Sequence, residues 1–153
     1  MTTALVLSAG GMFGAYQAGA WKALAPVFTP DLVVGTSAGS LNGWAIAGGC
    51  PPQDLIDIWL NPRMEKIMRV RWRPSCWKGL WDPEPLEKLA RELWDRYRPH
   101  IPYALTLTHL PRMRAQIVRG DNVTWRHLVA ACAVPSGFPP VAIDGRARGC
   151  DVG

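Results

Sequence analysis

Several features that would place the chain outside the ordinary globular class are missing from its sequence. No apolar run approaches the ~20 residues that a membrane-spanning helix requires. The first residues, Met1 to Leu7, carry no basic region of the kind that opens a signal peptide. The four cysteines include no Cys-x-x-Cys pair, so the sequence indicates neither a zinc site nor a disulfide framework. We therefore expect a cytoplasmic protein with reduced thiols and no metal.

The sequence also lacks the common motifs that bind the phosphates of nucleotides. The glycine-rich stretch from Ser8 to Gly14 contains neither the Gly-Lys-Ser/Thr of a Walker loop nor Gly-x-Gly-x-x-Gly. The net charge of +5 favours an anionic partner, and a phospholipid surface satisfies that preference as well as a nucleic acid does. Because no nucleic-acid-binding motif accompanies the charge, we expect no nucleic acid, and a basic nucleic-acid-binding module remains an alternative.

The sequence does contain an alternation of strand-like and helix-like stretches. Residues 4–7 form an apolar run that ends in a glycine loop and leads into a helix-like spacing of small residues. Residues 31–34 form a second apolar run, followed by a second glycine turn and the apolar stretch Leu41 to Ala47. Such alternation predicts an α/β fold with a mainly parallel sheet covered on both faces, and ligands near the carboxyl ends of the strands.

The rest of the chain continues this alternation, and we predict one domain over residues 1–153. Asp82 can cap a helix that has Pro83 at its first position and its leucines on one face. Strands are predicted over residues 103–108 and 115–118, and a loop over residues 135–140. Thr124 is predicted to cap a helix that runs to about Ala133.

Basic residues and tryptophans are interleaved between Pro62 and Asp82. Three interpretations of this segment remain open. It can be a solvated surface whose tryptophans fold inward, or a lid that makes peripheral contact with an anionic membrane. It can also be a site for single-stranded nucleic acid. The members of the segment are Arg63, Lys66, Arg69, Arg71, Trp72, Arg73, Trp77, Lys78 and Trp81.

The second glycine turn fits the pattern Gly-x-Ser-x-Gly. Gly35 and Gly39 would let a strand bend sharply into a helix and hold Ser37 in a strained, exposed pose as a nucleophile. The positive end of the following helix would point at the serine oxygen. The alternative is a strand-to-helix turn that merely requires small residues.

The order of the acidic residues and histidines excludes an ordinary Ser, Asp, His triad with the last two acids. His100, His109 and His127 all precede Asp144 and Asp151, so we expect each histidine to be structural or on the surface. A serine hydrolase without histidine needs a carboxylate that takes the hydroxyl proton directly. The glycine loop before the first helix suits an oxyanion hole, because successive backbone N–H groups there can converge on an anion. A loop that serves packing alone is the alternative.

Four stretches of the sequence share a pattern with a known family. In chain order they are Gly10 to Gly19, Gly35 to Gly39, Ala130 to Val141, and Asp151 to Gly153. Together they resemble the patatin-like phospholipase family. The resemblance implies a three-layer α/β/α sandwich that hydrolyses acyl esters of phospholipids or other lipids through a Ser-Asp dyad, without metal or organic cofactor.

The same resemblance assigns roles to individual residues. Ser37 is implied as the nucleophile and Asp151 as the base. The backbone of Gly10, Gly11 and Met12 is implied as the oxyanion hole. Asp144 is a rival acid, although the stretch from Asp144 to Arg148 suits a hairpin turn that leads into the strand before Asp151.

The chain departs from the family pattern in three places. Phe13 stands where relatives usually carry Arg or Lys, and Val152 stands where they carry glycine. The chain also stops at Gly153, where relatives continue, so we expect the domain to be incomplete at its C-terminal end. These departures motivate an alternative function, a catalytically impaired domain that binds lipid or another partner.

Overall fold

The computed structural model describes residues 2–75, 79–110, 112, 114–143 and 146–149. Within these ranges the strands are β1 (Ala4–Leu7), β2 (Leu32–Gly35), β3 (Val70–Ser75), β4 (Gly79–Trp81), β5 (Tyr103–His109), β6 (Arg114–Arg119), β7 (Val141–Ile143) and β8 (Arg146–Gly149). The α-helices are α1 (Gly14–Leu24), α2 (Ala38–Ala47), α3 (Pro52–Leu60), α4 (Glu84–Arg96) and α5 (Trp125–Cys132). Short 3-10 helices cover Gly11–Phe13, Pro62–Met68 and Gly120–Asn122.

The central sheet is organised around β5. Strands β1, β2 and β5 are parallel neighbours in that order, and β6 runs antiparallel along β5 from Ala104 to His109. Strands β7 and β8 form an antiparallel hairpin, and β8 joins β5 at Thr108 and His109. Because β6 occupies one edge of β5 over this stretch, β8 lies along the other edge. On that edge β2 has already ended opposite Leu105, so β8 lies beyond the carboxyl end of β2.

Helix α2 forms the centre of the hydrophobic core. It is apolar nearly all round and buried from Ala38 to Ala47, as expected of a helix enclosed by other elements. Gly43 brings it close to the sheet, because a Cβ at that position would lie 3.1 Å from both Tyr103 and Val33. Helix α5 packs on the same face of the sheet, and α1, α3 and α4 pack around these two helices.

The opposite face of the sheet is partly open to solvent in the part of the chain that the structure describes, so the cover predicted on both faces is complete there on one face only. Val6 and Ile117 are 70% and 66% exposed there, whereas Leu7 and Val118, one residue further along each strand, are buried. Successive side chains of a strand point to opposite faces, so this alternation assigns each residue to its face.

The predicted elements are confirmed, with small shifts at their ends. The Asp82 carboxylate accepts a hydrogen bond of 3.2 Å from the Glu84 N–H at the start of α4. The helix begins at Glu84, one residue later than predicted, so Pro83 is its N-cap residue and not its first helical residue. Thr124 caps α5 and forms a reciprocal capping box with His127. No helix among the described residues has the length and apolarity needed to cross a bilayer.

Candidate active site

Ser37 lies at the turn between β2 and α2, in a backbone conformation that few residues other than glycine adopt. Its φ is 54° and its ψ is −127°. A residue held in so sparsely populated a region costs about 1–3 kcal/mol of stability. The side chain is 5% exposed, and it makes no capping hydrogen bond to α2. The strained pose predicted for the serine in Gly-x-Ser-x-Gly is therefore present at Ser37, whereas the predicted exposure is wrong, because the turn buries the residue.

Gly35 and Gly39 are required at this turn for steric reasons. A Cβ on Gly35 would lie 2.4 Å from the Gly39 carbonyl oxygen and 2.6 Å from the Ser40 Cα. A Cβ on Gly39 would lie 2.3 Å from the Leu7 carbonyl oxygen. All of these neighbours are backbone atoms, which cannot move aside by rotating a side chain. The two glycines therefore allow the turn to fold back on itself and against the end of β1.

The glycine loop after β1 lies directly against the serine turn. The Thr36 N–H donates a hydrogen bond of 3.0 Å to the Leu7 carbonyl, which joins the turn to the end of β1. The loop then passes through the 3-10 helix, where the Phe13 N–H donates to the Gly10 carbonyl over 2.9 Å. Gly11 has a φ of 53°, in the left-handed region that favours glycine.

A cavity of about 240 Å³ opens beside Ser37. Gly10, Gly11 and Met12 line it together with Ser37, so the structure brings the predicted nucleophile and the predicted oxyanion loop to one place. The other side chains of its wall are almost entirely apolar: Leu41, Trp59, Met64, Ile67, Met68, Trp81, Leu86, Cys132, Val134 and Phe138. Such a wall suits a hydrocarbon chain better than a charged ligand.

The basic, tryptophan-rich segment supplies one side of this cavity. Three apolar side chains of its 3-10 helix and Trp81 of β4 line the wall. Trp81 packs against Phe138, with ring centroids 5.2 Å apart. Gly137 permits the contact, because a Cβ there would lie 2.4 Å from the indole ring. The inward-folding interpretation is thus confirmed at Trp81, whereas the side chain of Trp72 and the whole of Trp77 lie outside the described part of the chain.

Cations of the same segment line a groove that adjoins the cavity and shares Met64 and Ile67 with it. Arg69 forms an ion pair with Asp82. A hydrogen bond from the Arg69 guanidinium, reinforced by one from the Glu84 N–H, lowers the pKa of the Asp82 carboxyl below its usual value. Arg63 pairs with Glu92 at 2.6 Å, and Lys66 is exposed on the 3-10 helix between these two arginines.

The two candidate acids, Asp144 and Asp151, lie outside the described residues, as does Val152. The strand that precedes Asp151 is described, and its last residue, Gly149, pairs with Thr108. On the same edge of β5, the Thr106 hydroxyl forms a hydrogen bond of 2.8 Å with the hydroxyl of Thr36, which precedes the serine. The chain thus reaches the neighbourhood of the serine turn two residues before Asp151.

The histidines occupy other positions. His127 uses its Nδ1 to accept the Thr124 N–H at 3.1 Å, which confirms a structural role for this residue. The His100 ring packs against Gly49, where a Cβ would lie 2.8 Å from the imidazole. No histidine occurs among the described residues that line the Ser37 cavity. In the same ranges, no group of histidine, cysteine, aspartate and glutamate side chains is arranged to hold a metal ion.

Sequence analysis missed a polar network, buried at Asn42 and partly exposed at Gln17, that joins the two glycine turns. Asn42 of α2 is 1% exposed, and its amide donates to the Gly14 carbonyl at 2.9 Å and to the Gln17 side chain at 3.0 Å. The Trp59 indole N–H donates to the Asn42 oxygen at 2.7 Å. Gln17 in turn donates to the Ser8 carbonyl at 2.7 Å. A sequence signal that could have indicated this network is the amide of Asn42, which stands alone in the apolar stretch Leu41 to Ala47.

Comparison with known proteins finds a matching family model and a solved structure with a similar fold. A family model described as patatin-like phospholipase matches residues 5–152. Among solved structures, VipD from Legionella pneumophila is similar, with a TM-score of 0.70 at 14% sequence identity. That match covers 99% of this chain and 46% of VipD, so the chain spans less than half the length of that protein. No curated protein matches the sequence.

Proposed function

The chain belongs to the patatin-like phospholipase family, and from that premise we propose that it is a serine hydrolase that cleaves the acyl esters of phospholipids or other lipids. The observation that carries the proposal is a strained, largely buried Ser37 facing a cavity with an apolar wall. An acyl chain in the cavity would place its ester carbonyl next to the serine hydroxyl. The apolar wall would bind the chain, and the glycine loop would contact the carbonyl oxygen.

The proposed reaction proceeds in two steps. The Ser37 hydroxyl attacks the ester carbonyl while the Asp151 carboxylate accepts its proton, and the negative charge develops on the carbonyl oxygen. Backbone N–H groups of Gly10, Gly11 and Met12 would stabilise that charge. The intermediate collapses to an acyl-serine as the alcohol leaves with the proton from Asp151. A water molecule, deprotonated by the same carboxylate, then attacks the acyl-serine. The bond from the Ser37 oxygen to the acyl carbon breaks, Asp151 returns the proton to that oxygen, and the fatty acid is released.

Two observations support Asp151 as the base. Strand β8, the second strand of the β7–β8 hairpin, ends opposite Thr108. It lies on the same edge of β5 that pairs with β2. Among the described residues that line the cavity, none is acidic and none is a histidine. A proton acceptor for Ser37 must therefore come from another part of the chain, and Asp151 follows β8 by two residues.

The experiment that tests the proposal is covalent labelling of Ser37 with a fluorophosphonate probe, together with turnover of a short-chain nitrophenyl ester. We expect Ser37→Ala to abolish both signals. We expect Asp151→Asn to lower kcat by roughly 10²–10⁴-fold, the usual contribution of a general base. Ser40→Ala is the matched control, because the Ser40 hydroxyl is buried on the same helix and makes no hydrogen bond within the described part of the chain. Equal turnover in wild type and Ser37→Ala would refute the proposal.

The second candidate function is a lipid-binding domain without hydrolytic activity. Phe13 favours it, because this residue is 77% exposed in the glycine loop, at the position where the family usually carries a cation. A folded wild-type chain that binds a fatty acid but is not labelled at Ser37 would support this candidate over the hydrolase.

We also propose that the mouth of the cavity contacts an anionic lipid surface. Met12 and Met68 line the cavity and are also exposed. Exposed Val70 pairs with Trp81 of the cavity wall. Apolar side chains at such a rim would enter the acyl layer, while the neighbouring arginines and lysine attract anionic headgroups.

Vesicle binding tests this contact. We expect the chain to sediment with phosphatidylglycerol vesicles more strongly than with phosphatidylcholine vesicles. We expect Phe13→Ser, which removes an exposed ring next to Met12 of the rim, to weaken that binding. Val27→Ser is the matched control, because Val27 is equally exposed at 83% but precedes the amino end of β2, away from the cavity. Equal losses in the two variants would contradict a contact at the rim.

A further inference from the structure

We infer that Gln17 and Asn42 are positioning residues that hold the glycine loop in place for the reaction. The inference rests on the proposed hydrolase function and extends it to two side chains that do not line the Ser37 cavity. Each residue holds one end of the loop, so that the candidate oxyanion donors between them have a fixed distance from Ser37.

The loop is anchored at its start and at its end by the same pair of side chains. Gln17 donates to the carbonyl of Ser8, the first residue after β1. Asn42 donates to the carbonyl of Gly14, the first residue of α1. The two anchors are themselves joined by the Asn42 to Gln17 hydrogen bond of 3.0 Å. The intervening residues 9–13 carry the candidate donors and are not buried.

Both donors and the oxygen of the Asn42 side chain make hydrogen bonds. Its amide nitrogen donates twice, and its oxygen accepts the Trp59 indole N–H. Asn42 is buried, so displacing it would leave polar groups unpaired away from water, and this end of the network is rigid. Asn42 lies five residues after Ser37 on a helix that is buried throughout, so the network connects the loop to the helix that starts at the nucleophile.

Steric contacts reinforce the same connection at both ends of the loop. Gly39 packs against Leu7 and the Ser8 carbonyl, where a Cβ would approach within 2.8 Å of that oxygen. At the other end, Trp59 covers Gly14 so closely that a Cβ there would lie 2.1 Å from the indole. Between these two points a Cβ on Gly11 would meet nothing within 4 Å. The position of the donors therefore depends on the two ends of the loop.

The test compares Gln17→Met with Lys22→Met. Both replace a long polar side chain of α1, but Lys22 donates to Gln53 of α3 and not to the loop. For Gln17→Met we expect kcat for the nitrophenyl ester to fall about tenfold, less than the 10²–10³ lost when an oxyanion donor is deleted, with KM within about twofold. Lys22→Met should keep the wild-type kcat. The Phe13 amide should exchange its hydrogen faster in Gln17→Met alone.

A double-mutant cycle with Asn42→Ala adds a second criterion. If the two side chains act as one unit, the double variant should be about as slow as the slower single variant, rather than slower by the product of both. Unchanged kcat in a folded Gln17→Met, or equal effects of Gln17→Met and Lys22→Met, would overturn the inference. A wild-type chain that is neither labelled nor active would refute the proposed function, and the exchange of the Phe13 amide would then decide whether the pair holds the loop.

Discussion

Replacing Gly39 with alanine sets two physical effects against each other. Gly39 lies in the first turn of α2. Helix propensity alone would make alanine more stable there by about 0.5–1 kcal/mol. The added Cβ would, however, lie 2.3 Å and 2.7 Å from the carbonyl oxygen and carbon of Leu7, and 2.8 Å from the oxygen of Ser8. Attractive contacts between heavy atoms occur at about 3.5–4.0 Å, so the backbones must separate by roughly 1 Å.

We expect the steric effect to win. Overpacking in a core costs about 1–3 kcal/mol and occasionally more, and the neighbours here are backbone atoms of a sheet. A loss of about 3 kcal/mol for Gly39→Ala would lower Tm by roughly 6–12 °C in a chain of this size. The turn would open and Ser37 would move, so labelling by the fluorophosphonate should be lost as well.

Urea denaturation, fitted with one m-value for the wild type and both variants, measures the change in the free energy of unfolding. Gly19→Ala is the control, because Gly19 also lies in a helix but a Cβ there meets nothing within 4 Å. That variant should gain about 0.5–1 kcal/mol. A Gly39→Ala protein as stable as the wild type would refute the steric account of the turn.

Three further predictions concern strain, pH and packing. Ser37→Gly should raise the free energy of unfolding by about 1 kcal/mol, because glycine adopts a positive φ without strain. Labelling by the fluorophosphonate should be lost in the same variant. A variant that is less stable than the wild type in urea would contradict this prediction. Hydrogen bonds from the Thr3 backbone and hydroxyl lower the pKa of Asp31 below 3.8. The stabilising contribution of this carboxylate is therefore present above about pH 4 and is lost as the pH falls through the lowered pKa. Asp31→Asn should reduce the acid-induced fall in Tm between pH 5 and pH 2. Leu128→Ala should lower the free energy of unfolding in urea by roughly 3 kcal/mol, because Leu128 is 0% exposed.

The elements that could be predicted from the sequence are those whose cause is local. Apolar runs of four residues, each followed by a glycine turn and a helix-like spacing, predicted β1, α1, β2 and α2 because periodicity and turn chemistry act over a few neighbours. The same holds for Thr124, whose capping role depends on residues three positions away. The fold class and the family resemblance followed from these short patterns and their order, and both are confirmed.

The parts that could not be predicted depend on residues far apart in the chain. The cavity wall contains Trp81 next to Phe138, and the network joins Asn42 to Gly14 across 28 positions. The spacing of residues in the sequence does not indicate that β8 and β2 pair with the same edge of β5. The choice of edge and the register of pairing depend on how all the strands assemble into the sheet. A basic, tryptophan-rich segment was open to several interpretations for the same reason. Its apolar members contribute to the cavity only once β4 and the loop at Gly137 are in contact.

The strained serine turn lies in a part of the molecule that has little opportunity to open by itself. Its amide hydrogens at Thr36, Gly39 and Ser40 are held by carbonyls of the turn or of β1, and the helix that follows is buried along its entire length. Regions of this kind exchange their amide hydrogens with solvent chiefly when the whole domain unfolds. The energy stored at Ser37 is consequently not released by local motion, and each folded molecule retains it for as long as it remains folded.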